Sequence, residues 1–202
     1  MIKNLIFDMG NTLLAFDPER YVLQRVPDAR DADLLLSTTF RSAEWQRLDN
    51  GTLTAEDFLP MALAKLPERL HAAARGIFVG PPGWLYRVPE AETLVSELRA
   101  KGLRLYLLSN ASMRFFTYRY GYPVLSMLDG EVISAAEKLV KPDARIYLRL
   151  LEKYDLDPAA CLFVDDLPAN VEGARNCGIR AYQIADLDYD ALRAHLRELR
   201  IL

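Results

Sequence analysis

Apolar and polar positions follow two rhythms along this chain. Short stretches of strand length, rich in apolar residues, occur at Leu5-Ile6-Phe7, 103–108, 131–134, 161–164 and 181–184. Between them apolar residues recur at helical spacing. Pro89 opens one such stretch, with Ala91, Leu94, Val95 and Leu98, and Lys101-Gly102 stops it. Pro142 precedes another, with Ile146, Tyr147, Leu150 and Leu151. Residues 169–177 form a third, closed by Gly178 in the position that suits a helix C-terminus. Asp190 is the expected cap of the last, through Leu192, Leu196 and Leu199. Strands alternating with helices predict an α/β fold built on a doubly wound parallel sheet.

The rhythm changes from about Asp17 to Tyr86, where helical signals recur and no convincing strand is found. Pro18 starts a helix through Tyr21, Val22 and Val26, and Asp31 or Asp33 caps a second carrying Leu34, Leu35 and Leu36. Glu44, Trp45 and Leu48 continue a third, and Asn50-Gly51 is a turn. Thr54-Ala55-Glu56-Asp57 resembles a capping box ahead of Phe58, Met61, Ala62 and Leu66. Gly80-Pro81-Pro82-Gly83 is a strong breaker, and Trp84-Leu85-Tyr86 beside it reads as an exposed apolar patch. The expected organisation is a core of residues 1–15 and 87–202, interrupted by an α-helical insert over residues 16–86.

Composition narrows the function. The 202 residues are 51% hydrophobic and 26% charged, ordinary for a folded globular chain, and the net charge of -3 offers no field for nucleic acid. The aromatic, basic run from Tyr118 to Tyr122 therefore gives no reason to expect base stacking. No apolar run reaches the ~18 residues that a membrane span needs. The first residues lack a signal-peptide core, so a cytoplasmic location is expected. Cys161 and Cys177 read as small apolar fillers, with no zinc set around them. His71 and His195 read as packing or surface residues.

The candidate chemistry lies at the strand ends. The first strand ends in Asp8, the second in Ser109-Asn110 and the fourth in Asp165-Asp166, with Lys141-Pro142 at a loop-to-helix junction between the last two. In a parallel sheet all these ends face one edge, where ligands bind. Carboxylates gathered there repel one another, and a hard divalent cation relieves the repulsion; Mg²⁺ takes one or two carboxylates plus waters and phosphate oxygens. A lysine and a hydroxyl beside the ion are what a phosphoryl group needs. Lys138 competes for the cationic role, and Pro142 favours Lys141.

The ordered set Asp8-x-Gly10-Asn11-Thr12, Leu107-Leu108-Ser109-Asn110, Lys141-Pro142 and Val164-Asp165-Asp166-x-x-x-Asn170 resembles the haloacid dehalogenase superfamily. The segment from Asn170 through Gly173-Ala174 to Gly178 extends the likeness, and the insert is similar to that family's type-one helical cap on a Rossmann-like core. The resemblance implies roles. Asp8 is the nucleophile that forms an aspartyl-phosphate, and Lys141 holds the nucleophile and phosphate charges together. Met9, Gly10, Ser109 and Asn110 border the phosphate. Asp8, Asp165 and the Gly10 carbonyl hold Mg²⁺, with Asp166 and Asn170 behind them. The expected enzyme is a Mg²⁺-dependent phosphomonoester hydrolase, monomeric or homodimeric. Its substrate is a small phosphorylated metabolite, with sugar phosphates the favoured class because the Asp-x-Gly-Asn branch includes such phosphatases.

One departure qualifies this. Phosphatases of the family usually carry a second Asp two residues after the nucleophile, and Gly10 stands there. General acid–base help contributes roughly 10²–10⁴-fold, so a substitute is required; Asp17, at the start of the insert, is one candidate and an ordered water another. Two other functions follow from the same residues. A 2-haloacid dehalogenase also uses an Asp nucleophile, but its relatives lack paired acids like Asp165-Asp166. A catalytically weak module that binds phosphate and metal is the other. Trp45 and Arg47 from the insert, and Arg114, Phe115 and Phe116 after the second strand, are candidates to meet the substrate.

Overall fold

A computed structural model describes all 202 residues. The chain opens with β1 (Asn4–Phe7) and β2 (Leu14–Phe16). Five helices follow: α1 (Pro18–Leu23), α2 (Ala29–Thr38), α3 (Ala43–Asp49), α4 (Ala55–Lys65) and α5 (His71–Phe78). Strand β3 (Leu85–Arg87) then pairs antiparallel with β2, so the two chain crossings between the sheet region and the helices form one small ribbon. This strand was not expected from the sequence: it is three residues long, and its Leu-Tyr-Arg has no alternation to read. Trp84 and Leu85 are buried rather than forming the expected exposed patch.

The remainder alternates: α6 (Pro89–Ala100), β4 (Arg104–Ser109), the single turns α7 (Phe115–Tyr118) and α8 (Pro123–Ser126), β5 (Gly130–Ile133), the single turn α9 (Ser134–Glu137), α10 (Ala144–Tyr154), β6 (Cys161–Asp165), α11 (Pro168–Asn176), β7 (Arg180–Gln183) and α12 (Tyr189–Glu198). The sheet order is β5-β4-β1-β6-β7, and every pairing is parallel. The α/β class and the parallel sheet agree with the sequence reading.

Successive side chains of a strand point to opposite faces, and the core divides accordingly. Ile6, Tyr106, Leu108 and Phe163 pack with Ile146, Tyr147 and Leu150 of α10 on one face. Leu5, Phe7, Leu105, Leu107 and Val164 pack on the other with Leu94 and Leu98 of α6 and Leu192 and Leu196 of α12. That second core continues without a break into the insert, through Leu35, Phe58, Ala62 and Ile77.

Two helix caps lie two to five residues earlier than expected. Asp28, not Asp31 or Asp33, receives the amides of Arg30 and Asp31 at the start of α2. Asp188, not Asp190, receives the Ala191 amide at the start of α12. An N-cap must adopt non-helical backbone, and the acids preferred from the sequence already lie inside the helices. Thr54 caps α4 as expected, although its hydroxyl also donates to Asp57 Oδ2 at 2.8 Å, so the reciprocal half of the box is a side-chain contact. No helix is long and apolar enough to cross a membrane.

Candidate active site

The register of the sheet sets the geometry. Phe7 of β1 lies opposite Leu107 of β4 and Val164 of β6, and the Asp8 amide still donates to the Val164 carbonyl at 2.9 Å. One residue further along, Asp8 emerges between the ends of β4 and β6, beside Ser109 and Asp165. The turn after Asp8 is held by Asn11, which sits at φ 50°, a left-handed conformation that asparagine tolerates. Its side-chain oxygen accepts the Phe16 amide at 3.0 Å, while its Nδ2 lies 3.4 Å from Asp166 Oδ2.

Lys141 reaches into this edge almost fully buried, its Nζ 2.7 Å from Asp8 Oδ1 and 2.6 Å from Asp165 Oδ2. Asn110 places it: the Asn110 amide group donates to the Lys141 carbonyl at 3.0 Å and accepts the Lys141 amide at 2.9 Å. Asn110, expected beside the phosphate, borders the cavity, and its side chain is engaged in holding the lysine loop. On the far side, a Cβ at position 173 would meet the Pro142 carbonyl, so Gly173 lets α11 lie flat against that loop. Tyr147 donates to the Asn170 carbonyl at 2.8 Å.

Asp165 and Asp166 have different surroundings. Asp165 is wholly buried, and its carboxylate is saturated. Leu167 donates to Oδ1 at 2.8 Å, Asn170 to both oxygens at 2.9 and 3.0 Å, and Lys141 to Oδ2. Asp166 borders the open cleft and has one long contact, from Asn11. Oxygens of Asp8, Asp165 and Asp166 all lie within 4.8 Å of one another. Asp165, the acid expected at the ion, has its oxygens taken up by hydrogen bonds, whereas Asp166, expected behind it, keeps free lone pairs.

The electrostatics favour a cation at this edge. Three carboxylates and one ammonium leave this cluster two negative charges in excess when all are ionised. Burial pushes the Asp8 carboxyl up, against the pull of Lys141, to about 6. Burial and the Asp165 charge also raise Asp166. Burial disfavours charge on Lys141, but its two carboxylate partners outweigh that and hold its pKa above the usual lysine value. An all-oxygen donor set with excess negative charge suits Mg²⁺.

A cavity of about 380 Å³ opens over this edge. Asp8, Ser109, Lys141 and Asp166 lie at its sheet end, and Phe40, Trp45, Leu48 and Asp49 border it from the helical insert. Asp49, the last residue of α3, is the acid that the sequence reading missed. Burial, with the charge of Asp8 added, pushes its carboxyl up to about 8. Its position is fixed from the core: the buried Ser134 hydroxyl donates to the Asp49 carbonyl and accepts the Ala111 amide at 2.9 Å. Two residues on, Gly51 sits at φ 72° with no room for a Cβ against the Ala135 carbonyl. A signal was present in the sequence. An acid in the last turn of a helix opposes the helix dipole, which costs free energy unless the residue has other work.

A family model for haloacid dehalogenase-like hydrolases matches residues 2–178. The chain belongs to this family. It is 27% identical over 187 residues to a sesquiterpene phosphatase of Aspergillus oryzae, covering 91% of this chain and 90% of that protein. It is 25% identical over 195 residues to a D-ribitol-5-phosphate phosphatase of Bacteroides thetaiotaomicron, covering 91% and 92%. Solved structures share the haloacid dehalogenase fold. One is a hydrolase from Porphyromonas gingivalis (TM-score 0.71, 24% identity, 99% and 98% of the two chains). Another is a magnesium complex of a family enzyme from Bacteroides thetaiotaomicron (TM-score 0.69, 21% identity, 95% and 98%).

Among the other candidate positions, Met9, Gly10, Asn170, Trp45 and Arg114 border the cavity, whereas Arg47, Phe115, Phe116 and Lys138 do not. Asp17 does not either: its carboxylate caps α1 by accepting the Arg20 amide at 2.9 Å, which removes it as the substitute acid. His71 binds the carbonyls of Leu63 and Leu66, and His195 stacks on Tyr182. No disulfide joins the two cysteines.

Proposed function

We propose that this hydrolase is a Mg²⁺-dependent phosphomonoester hydrolase that works through an aspartyl-phosphate on Asp8. The observation that carries the reading is the arrangement at the sheet edge: a nucleophile-ready carboxylate held by a buried lysine, beside an unsatisfied second carboxylate, under a cavity. In the first step an Asp8 oxygen attacks phosphorus, and the bond from phosphorus to the ester oxygen breaks. Asp49 gives its proton to the departing alcohol oxygen. In the second step water attacks the same phosphorus, Asp49 takes back a proton, and the bond to Asp8 breaks to free phosphate. Lys141 neutralises the oxygens that gain charge, and Ser109 donates a hydrogen bond to them. Mg²⁺ held by Asp8, Asp166 and the Gly10 carbonyl would supply further neutralisation of the phosphoryl oxygens. Asp165 acts on the lysine and on the turn that carries Asp166. Paired acids and a lysine around the nucleophile favour this reading over carbon–halogen hydrolysis, which needs no cation.

The test is phosphate release from p-nitrophenyl phosphate with Mg²⁺ or with chelator, for the wild type and Asp8→Asn. The expected result is turnover that needs both the metal and Asp8, with unchanged circular dichroism in the variant. Turnover by Asp8→Asn, or turnover insensitive to chelator, would overturn the proposal.

A further inference from the structure

The wall that faces the reactive edge is aromatic. Phe40, Trp45 and Trp84 pack as one unit, with ring centroids 4.5 Å apart for Phe40 and Trp45, 5.1 Å for Phe40 and Trp84, and 6.0 Å for the two tryptophans. Phe16 joins it edge-on to Phe40 at 6.2 Å. All four border the cavity. The cation on this side, Arg114, is engaged: its guanidinium donates to the carbonyls of Ile77 and Gly80 at 2.6 and 2.7 Å. Asp49 is reserved for the leaving oxygen. Against these rings a polyol carried in on the phosphate would find only the indole N–H groups, with the Ser112 and Tyr118 hydroxyls also on the lining, so several of its hydroxyls would stay unpaired. Each hydroxyl left unpaired lowers binding about fivefold to a hundredfold. A hydrocarbon chain meets the opposite situation, since each methylene removed from water improves binding about fourfold.

From this wall we infer that the substrate is the phosphate monoester of an apolar alcohol, and that Trp45 and Phe40 set that preference. The inference rests on the phosphatase reading and departs from the sugar phosphates favoured by the sequence. Asp49 serves either class, because any alkoxide is a poor leaving group and needs a proton.

The experiment measures kcat/KM of the Mg²⁺-loaded enzyme on ethyl, butyl, hexyl and geranyl monophosphates and on ribitol 5-phosphate. The ethyl, butyl and hexyl esters are saturated primary alkyl esters with closely matched leaving groups, so the slope is read from them; the geranyl ester, which is allylic, extends the range of apolar area. p-Nitrophenyl phosphate is the control for the phosphatase reading. The expected result is a rise of about fourfold per methylene, so that the hexyl ester exceeds the ethyl ester by at least about fiftyfold and ribitol 5-phosphate falls below the butyl ester. Trp45→Ser, at a partly exposed position that the fold tolerates better than the buried Trp84, should flatten the slope. A flat series, or ribitol 5-phosphate ahead of the hexyl ester, with p-nitrophenyl phosphate still hydrolysed, overturns the substrate class and leaves the phosphatase reading standing. No turnover of any ester removes both.

Discussion

Changing Asp165 and Asp166 one at a time separates two tasks that adjacent acids perform. Asp165→Asn leaves Lys141 with one carboxylate partner and disturbs a fully hydrogen-bonded buried group, a change that typically costs about 3–5 kcal/mol. Chemical denaturation should register that loss. Asp166→Asn should leave stability nearly unchanged and raise the Mg²⁺ concentration for half-maximal turnover at least about tenfold, read by metal titration; a requirement raised by Asp165→Asn and not by Asp166→Asn would return the ion to Asp165. Asp49 is tested by its leaving-group dependence. Asp49→Asn should slow an alkyl ester about 10²–10⁴-fold and an aryl ester far less, because a nitrophenolate leaves without a proton. The wild-type rate on the alkyl ester should fall above about pH 8, where Asp49 loses its proton, and Asp49→Asn should lack that limb. Position 10 offers a complementary test. A Cβ there meets only Phe16 at an ordinary 3.6 Å, so Gly10→Asp fits and should restore part of the alkyl-ester rate to Asp49→Asn.

At the scale of elements, the function depends on how α3 is docked. Ser134 and Gly51 pin its C-terminal end to the core, so Ser134→Ala, which strands the Asp49 carbonyl and the Ala111 amide, should cost about 1–3 kcal/mol. It should also lower turnover of alkyl esters more than of aryl esters; equal losses would mean that α3 placement does not govern Asp49. The same scale explains what was legible in the sequence. Strands whose two faces are both buried are continuous apolar runs, so β1, β4 and β6 and the residues at their ends could be read directly. Asp8, Ser109 and the Asp165-Asp166 pair follow from that placement, and Lys141 from the Pro142 beside it at the start of a helix. The ribbon strand β3 could not be read, because three residues carry no period. Asp49 was hidden for another reason: it meets Asp8 only through the fold of the insert, and sequence spacing carries no trace of that contact. The different surroundings of Asp165 and Asp166 were hidden too, since they depend on where Lys141 and Asn170 donate their hydrogen bonds.

At the scale of the molecule, one apolar core runs from the sheet into the helical insert. The two regions should therefore unfold together, in a single calorimetric transition whose van't Hoff and measured enthalpies agree; two resolved transitions would mean that the insert is independent. The charge excess at the sheet edge works against stability in the metal-free protein. Asp49 has a folded pKa of about 8 against an ordinary value near 3.8, so its stabilising contribution is complete below about pH 4 and is lost as pH rises through 8. Asp49→Asn should thus raise the melting temperature of the metal-free protein at pH 8 and change it little at pH 4. Mg²⁺ at a hundred times its dissociation constant should stabilise the wild type by about 2.7 kcal/mol, and Asp166→Asn should lose most of that gain at the same concentration.

The covalent step is the centre of the account, and trapping it is the most direct test. The Mg²⁺-loaded enzyme is mixed with a turning-over aryl phosphate, quenched in acid within the first turnovers and reduced with borohydride, which converts an aspartyl-phosphate to homoserine. Peptide mass spectrometry should then find homoserine at position 8 and nowhere else, dependent on substrate and on Mg²⁺. Sustained phosphate release with position 8 still recovered only as aspartate, or with the label on another residue, would contradict it.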